Sequence, residues 1–538
     1  MQLQDQIRRE RHFGDRVVRC FAERLGDSYS AFERAVAVRG DADAIVFEDR
    51  RISYAALRDE VERVARGLVD LGMRPGDRLV LLCGNRPEFV FVLYAAFRLG
   101  AIVVPADIRL RAAEIAYIAG NCDAALVVHD EKHAAEVPDA EALPSGCRLL
   151  AIPALGTGRL FPEVSSGRDE DRHVPDSEED LALIVFTSGT TGRPKGAMLT
   201  HLNLEHSCQH FHRNLGITAD DRIGVVTPVT HVTGLVMGLI GALHAGAAVL
   251  LLENFRAPGF IEMAARERMT QTVMVPAMYS LCLLDPGFET ADLSAWRIGN
   301  YGGAPMPEGV IMALAQKLPH LELVNGYGAS ETCSPAAMLR PGEGVTHAAS
   351  VGRALHCVNL AIMDEDGREV PVGEAGEIWI GGPMVSPGYW RDPEATAQGF
   401  VGGYWRSGDI GSMDAGGYLR VHDRIKDVVN RGGYKIYSAE VESVLSRYEG
   451  VVESAVVGRP CPVLGERVHA FVSVASEATT EDMLRDFCAR FLADYKVPET
   501  FTITTDRLPR SANGKLQKRE LREVAQTLPP AERRRRTV

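Results

Sequence analysis

Leu181-Ala182-Leu183-Ile184-Val185-Phe186-Thr187-Ser188-Gly189-Thr190-Thr191-Gly192-Arg193-Pro194-Lys195-Gly196 is the stretch from which the rest of this chain is read. A continuous apolar run of strand length delivers a loop dense in hydroxyls and glycines, with a lysine on its far side. Glycines let backbone N–H groups turn towards an anion, the hydroxyls add donors, and the lysine supplies a mobile positive charge. Four hydroxyls ahead of a lysine suit a phosphate cradle better than a generic surface turn. It is not a Walker loop, because that pattern needs GxxxxGK[ST] and the residue five after Gly189 is Pro194.

Outward from this stretch, short apolar runs alternate with amphipathic ones. Ile52–Leu71 has helical spacing at Tyr54, Leu57, Val61, Val64 and Leu68; Arg78–Cys83 reads as a strand, Pro87–Leu99 as a helix and Ile102–Pro105 as a strand. That rhythm predicts a mostly parallel sheet with helices on its faces. Ser165–Asp180 reads as an exposed connection. Past Tyr418 a smaller unit is expected, with helices over Val441–Arg447 and Thr480–Leu492 and strands over Glu453–Gly458 and Val468–Val474. The fold class is therefore α/β: a large N-terminal domain, 1–424, of mostly parallel sheets flanked by helices, and a small α+β C-terminal domain, 425–538.

The chain is 538 residues long, too long for one core, and 46% hydrophobic and 24% charged. A net charge of −13 argues against broad nucleic-acid binding, which needs a basic face, and Arg533–Arg536 reads as a solvated tail. Ten scattered cysteines without a CxxC pair suit free thiols in a reducing cytoplasm. No apolar run approaches the ~18 residues of a membrane span, so no integral membrane contact is expected.

The segment Thr187–Gly196 resembles the signature loop of the acyl-adenylate-forming (AMP-binding) superfamily, in its acyl-CoA synthetase branch, and further segments match in the family's order from about Ser53 to Leu521. Tyr301-Gly302-Gly303-Ala304-Pro305 is similar to the adenine-side loop. In Asn325-Gly326-Tyr327-Gly328-Ala329-Ser330-Glu331-Thr332 the resemblance implies that Tyr327 packs on adenine, Glu331 holds Mg²⁺ and Thr332 contacts the α-phosphate. Hard cations take oxygen ligands, one or two carboxylates plus nucleotide phosphates, so the implied chemistry is coherent. Tyr404–Asp409 resembles the segment whose aspartate, here Asp409, binds the ribose hydroxyls, and Arg424 falls on the ribose and phosphate side. Lys426 sits at the family's hinge position in a mobile C-terminal domain. Leu508–Lys515 looks like the loop carrying the catalytic lysine, Lys515, just past the tight-turn dipeptide Asn513-Gly514.

The activity the resemblance implies is that of an ATP-dependent acid–thiol ligase. The acid attacks the α-phosphate of ATP to give acyl-AMP and pyrophosphate, and coenzyme A then takes the acyl group. Lys515, Glu331 and Thr187 are the expected catalytic residues, with Ser188, Gly189, Thr190, Thr191, Gly192 and Lys195 holding phosphates and Gly303, Ala304, Pro305, Asn325, Gly326, Gly328, Ala329 and Ser330 completing the ATP site. Positioning and preorganised charge supply such catalysis, so no protein nucleophile is required. Gly432, Gly433 and Tyr434 resemble the thioester face for CoA.

Thr227–Gly234 resembles the acyl-pocket lining, with His231, Val232 and Thr233 as candidates beside Gly302 and Gly328. No acid lies between Arg222 and Glu253, which argues against an amino-acid substrate. Acetate-specific relatives carry a tryptophan where this chain has Gly328, so an acid larger than acetate is expected, fatty, aryl or other. The alternative is an acyl-AMP ligase delivering to a carrier-protein thiol. Pro509 with Gly514-Lys515 resembles an acetyltransferase recognition pattern, making Lys515 an expected modification site. A homodimer is among the expected assemblies. Residues 1–40 fall outside every motif.

Overall fold

The apolar run becomes the strand Leu181–Thr187, whose Ala182, Leu183, Ile184 and Val185 are buried. Each such side chain withdraws apolar surface worth roughly 1.5–3 kcal/mol for the larger ones. The computed structural model describes residues 7–155, 157–163, 177–187, 193–510 and 516–528. The chain divides into two units: Met1–Ala361 with Trp379–Arg406 and Gly416–Leu419, and a smaller one of Ile362–Ile378, Ser407–Ala415 and Arg420–Val538.

Two large sheets build the first unit. The six-stranded sheet runs in the order Lys195–Thr200, Leu181–Thr187, Ile102–Ala106, Arg78–Leu82, Leu126–Asp130, Arg148–Ile152, all neighbours parallel except the first pair. The nine-stranded sheet has a parallel centre, Asp43–Phe47, Ala248–Leu251, Arg222–Val225, Gln271–Met274, Ile298–Gly302 and Glu322–Ala329, with antiparallel strands at its edges. The expected helices form where the spacing put them. Tyr54–Asp70 buries Leu57, Val61, Val64 and Leu68 on one face, with Ser53 capping Ala56 N; Pro87–Leu99 starts on a proline, the favoured first helical residue. The polar connection 165–180 falls mostly outside the described residues, apart from 177–180.

An antiparallel hairpin, Ile7–His12 with Arg16–Phe21, precedes these sheets. Asn85, just past the strand Arg78–Leu82, reaches from one sheet to the other. Its Nδ2 donates to Thr227 O at 3.0 Å and Leu252 O at 3.2 Å, and its Oδ1 accepts from Val229 N at 2.9 Å.

The smaller unit has its own core, Val429, Ile436, Val441, Val456, Val468, Val472, Leu484 and Phe501 among others. It is a sheet in the order Tyr434–Ile436, Val429–Arg431, Gly465–Val474, Val451–Cys461, with Thr500–Thr504 parallel to Gly465–Val474. The helices Ser438–Leu445, Glu481–Phe491 and Lys518–Thr527 accompany it.

Candidate active site

Thr187 ends its strand opposite Lys195, its register partner, and its Oγ1 donates to Lys195 O at 3.4 Å. The residues that flank the glycine- and hydroxyl-rich stretch are thereby fastened together. Ser188, Gly189, Thr190, Thr191 and Gly192 lie outside the described residues.

Tyr301–Gly302 and Asn325–Gly326, separate motifs in the sequence, are paired residues on adjacent parallel strands. Gly303, Ala304 and Pro305 follow at the C-terminal end of the first strand, where open α/β sheets place their ligands. Asn325 Nδ2 donates to Ser350 O at 3.1 Å, and Tyr327, Gly328 and Ala329 pair with the strand Ser334–Met338 across a bulge.

A short 3₁₀ turn, Ser330–Thr332, then carries Glu331. The Thr332 hydroxyl is buried and works on this turn: it accepts from Ala329 N at 2.9 Å and donates to Ser334 O at 2.7 Å. A phosphate contact from Thr332 would have to displace that second bond. Glu331 is buried too. Its Oε1 accepts from the Tyr389 hydroxyl at 2.9 Å, and that phenol oxygen lies 3.4 Å from Trp405 Nε1, which donates to it. Lys195 Nζ stands 5.2 Å from the centre of the Tyr389 ring, within cation–π range. Burial and the Glu331 charge both push the Tyr389 phenol well up, so it stays a donor at any physiological pH.

The structure thus gathers two sequence-predicted residues, Lys195 and Glu331, around a tyrosine the sequence reading did not single out. Tyr389 follows Gly381–Gly388, a segment with no charged residue to mark a site, and only its pairing reveals it. The same is true of Asn85.

Gly328 acquires a different reason from the one read in the sequence. A Cβ there would fall 1.8 Å from Ser334 O and 2.7 Å from Ser334 C. Backbone pairing demands glycine at this position, whatever the size of the acid.

In the Thr227–Gly234 segment, Val232 is buried and Thr233 begins a π-helical stretch, Thr233–Ile240. His231 is about one-third exposed, with Nε2 at 3.3 Å from Asp107 Oδ2 but off the hydrogen-bond direction. Burial raises the Asp107 carboxyl, but the Arg109 guanidinium, at 2.9 Å and 2.8 Å, outweighs it and holds the group well below the usual carboxylate range. The segment between Arg222 and Glu253 carries no acid of its own, yet a strand-end carboxylate arrives beside it. Sequence distance hid Asp107.

Within the smaller unit, Arg424 Nε lies 3.6 Å from Asp409 Oδ1, and the Arg424 side chain is 54% exposed. Lys426 is exposed in the turn Ile425–Asp427, whose Lys426 O accepts from Arg522 Nη2 at 2.9 Å. Arg431-Gly432-Gly433-Tyr434 is a two-residue hairpin turn with φ of 58° and 91° at the glycines, the mirror-image turn that strand twist prefers. Tyr434 is 57% exposed and stacks on Tyr495 at 4.5 Å. Lys515 and Ser511–Gly514 lie outside the described residues; their flanks, Arg510 and Leu516, form an antiparallel bridge.

One other group of metal-ligating types comes together among the described residues, Glu10, His12 and Cys20 in the N-terminal hairpin. Arg24 already occupies both Glu10 oxygens at 3.0 Å and 2.8 Å, so that carboxylate is committed.

In the larger unit the structure therefore brings a lysine at a strand end and a buried carboxylate to one tyrosine. Residues 32–390 match the AMP-binding enzyme family and residues 440–515 its C-terminal domain, and the chain belongs to that family. It is 36% identical over 482 residues to the feruloyl-CoA synthase of an Amycolatopsis species, covering 89% of this chain and 95% of the relative. It is 33% identical over 477 residues to the long-chain-fatty-acid–CoA ligase FadD13 of Mycobacterium tuberculosis, covering 88% and 93%. Among solved structures, the anthranilate CoA ligase AuaEII in complex with anthranoyl-AMP matches with a TM-score of 0.85 and 25% identity, over 93% of this chain and 98% of that one. The expected α/β architecture and family are thus borne out. Among the described residues no helix is long and apolar enough to cross a membrane.

Proposed function

We propose that this chain is an AMP-forming acid–CoA ligase, converting a carboxylic acid and ATP to acyl-AMP and pyrophosphate, then acyl-AMP and CoA to acyl-CoA and AMP. The observation that carries the reading is the convergence of Lys195 and Glu331 on Tyr389, in a chain that aligns over 88–89% of its length with acid–CoA ligases.

Glu331 fits a hard divalent cation: it is a buried carboxylate, an oxygen ligand, and a neutral phenol donates one hydrogen bond to it. Mg²⁺ bound there with ATP would screen the phosphate charge that repels an incoming carboxylate. Lys195 and Thr187 orient the phosphates, Lys515 offsets charge on the departing pyrophosphate, and Asp409 with Arg424 takes the ribose. An ionised carboxylate accepting from two hydroxyls makes stronger bonds than a neutral group would. His231, Val232 and Thr233 line the acid, and relatives acting on feruloyl, fatty and anthranoyl groups support an acid larger than acetate.

For the second step, a domain boundary after Arg424 with Lys426 as hinge would bring the Gly432-Gly433-Tyr434 turn to the site. Lys426→Pro would then spare adenylation and cripple thioester formation; equal loss of both would sink the hinge. Acetylation of Lys515 would erase its charge and stop adenylation, and intact-mass analysis after treatment with a protein acetyltransferase tests this. A cytoplasmic setting is supported by ten cysteines that are all free thiols.

The deciding experiment is pyrophosphate release with Mg-ATP across acids from acetate to long fatty and aromatic carboxylates, with and without CoA. CoA-dependent turnover on one acid group supports the ligase. Adenylate without thioester would point to a carrier-protein thiol instead.

A further inference from the structure

The segment Ser386–Trp390 belongs to none of the motifs read from the sequence, yet it touches both the turn that carries Glu331 and the strand that begins at Lys195. Ser386 N donates to Glu331 O at 2.8 Å, fixing the backbone that presents the carboxylate. Met198 N donates to Gly388 O at 3.1 Å, and Trp390 N donates to Gly196 O at 2.7 Å, tying the same segment to the strand that begins at Lys195. Between these anchors, the Tyr389 side chain bonds Glu331 through its oxygen and faces Lys195 with its ring.

The segment is held from its other side by the N-terminal hairpin. Arg16 Nη1 donates to Ser386 O and Nη2 to Pro387 O, both at 3.0 Å, while its guanidinium lies 5.7 Å from the centre of the Phe400 ring. Phe400 in turn packs edge-on against Tyr389, with ring centres 5.4 Å apart. Residues 7–21 thus connect by two layers of contact to Glu331, although they precede the matched region that begins at residue 32.

We propose that Tyr389 is a positioning residue for adenylation, its hydroxyl fixing the Glu331 carboxylate for the nucleotide-bound cation and its ring seating Lys195, with Arg16 of the N-terminal hairpin bracing the segment that carries it. The inference rests on the reading of Glu331 as the cation's carboxylate. A carboxylate left to rotate presents its lone pairs in many directions; one hydrogen-bonded at Oε1 by a fixed donor leaves Oε2 in a defined place. Groups that orient a metal ligand in this way typically set about 10-fold or more of metal affinity. The ring contributes separately, because a cation over an aromatic face is attracted whether or not the hydroxyl is present.

The test is calorimetric titration of the full chain with ATP, with Mg²⁺ and with a chelator, which reads binding without turnover. Tyr389→Phe should weaken the Mg²⁺-dependent gain in ATP affinity about 10-fold and leave metal-free ATP binding unchanged. Tyr389→Leu should in addition weaken metal-free ATP binding about 3-fold through Lys195. Arg16→Ala should move the Mg²⁺-dependent gain in the same direction by about 3-fold. A merely structural tyrosine would lower the melting temperature of all three variants and leave the difference between the two titrations intact, which overturns the proposal. Glu331→Gln separates the two levels of inference. If it abolishes the Mg²⁺-dependent gain and Tyr389→Phe does not touch it, the positioning role is wrong and the reading of Glu331 stands. If Glu331→Gln leaves the gain intact, the reading of Glu331 falls and this proposal with it.

Discussion

Two carboxylates of this chain meet their partners in opposite ways. Glu331 is buried, bonded by a neutral phenol at 2.9 Å, on a turn closed by the Thr332 hydroxyl. Asp409, in the smaller unit, faces Arg424 at 3.6 Å, and that arginine is more than half exposed. The first arrangement is built before any ligand arrives, since an ion sheltered from water gains most from fixed dipoles. The second pairs a part-buried aspartate at 3.6 Å with a guanidinium more than half exposed to water, a contact worth at most about 1 kcal/mol. The buried carboxylate is held by a fixed donor, and the other faces a partner more than half exposed to solvent.

Acid should expose this difference most broadly. Burial holds His201, His206 and His212 at about 4 and His210 at about 3, all in the larger unit, whereas in the smaller unit His469 is the one described histidine shifted to about 4. These pKa values are depressed on folding, so the unfolded chain binds protons first. Their stabilisation is therefore complete above the ordinary value of 6.5 and is lost as pH falls from there towards 4. Each buried histidine should cost roughly 2 kcal/mol at about pH 5. Hydrogen exchange read by mass spectrometry, at neutral pH and at about pH 5, should show the larger unit opening first; simultaneous opening of both units would remove the asymmetry.

Glu331→Gln attacks the buried carboxylate directly. Adenylation, followed by pyrophosphate release, should fall about 10³-fold, the scale of losing a preorganised charge at a transition state. A loss below about 10-fold would place the essential charge elsewhere.

Gly328→Ala attacks the same carboxylate through the backbone. A Cβ 1.8 Å from Ser334 O cannot be housed without parting the two strands, so chemical denaturation should show about 3 kcal/mol of destabilisation. Wild-type stability would mean that the pairing yields easily, and that Glu331 is less firmly held than its hydrogen bonds imply.

Asp409→Asn probes the other carboxylate and should have the smallest effect. With Asp409 taking the ribose as proposed, KM for ATP should rise about 10-fold with the melting temperature nearly unchanged, because a 3.6 Å contact to a solvent-exposed guanidinium carries little stability. A drop in melting temperature without a change in KM would make Asp409 structural.

How far the site could be read from sequence depends on how each part is encoded. The candidate phosphate loop stands out in sequence because glycines, hydroxyls and a lysine follow an apolar run without interruption. The helix Pro87–Leu99 was delimited by its opening proline and the glycine after it. Tyr389 was not legible, because its partners Lys195 and Glu331 are far away in the chain and an isolated tyrosine carries no local signature. Gly328 was legible as an absence of side chain but not in its cause, since only the strand register reveals Ser334 behind it. Asp107 beside His231 and Asn85 between the two sheets were hidden for the same reason.

The sequence by itself determined the α/β class, the extent of the main elements and the chemistry of the motifs, because periodicity, capping and loop composition are local properties of a chain. Only the tertiary structure decided which buried groups stand together: the tyrosine on the glutamate, the arginine of the N-terminal hairpin on the segment bearing that tyrosine, the aspartate on the histidine. Burial and distance between remote residues arise from packing of the whole chain, and no local pattern encodes them.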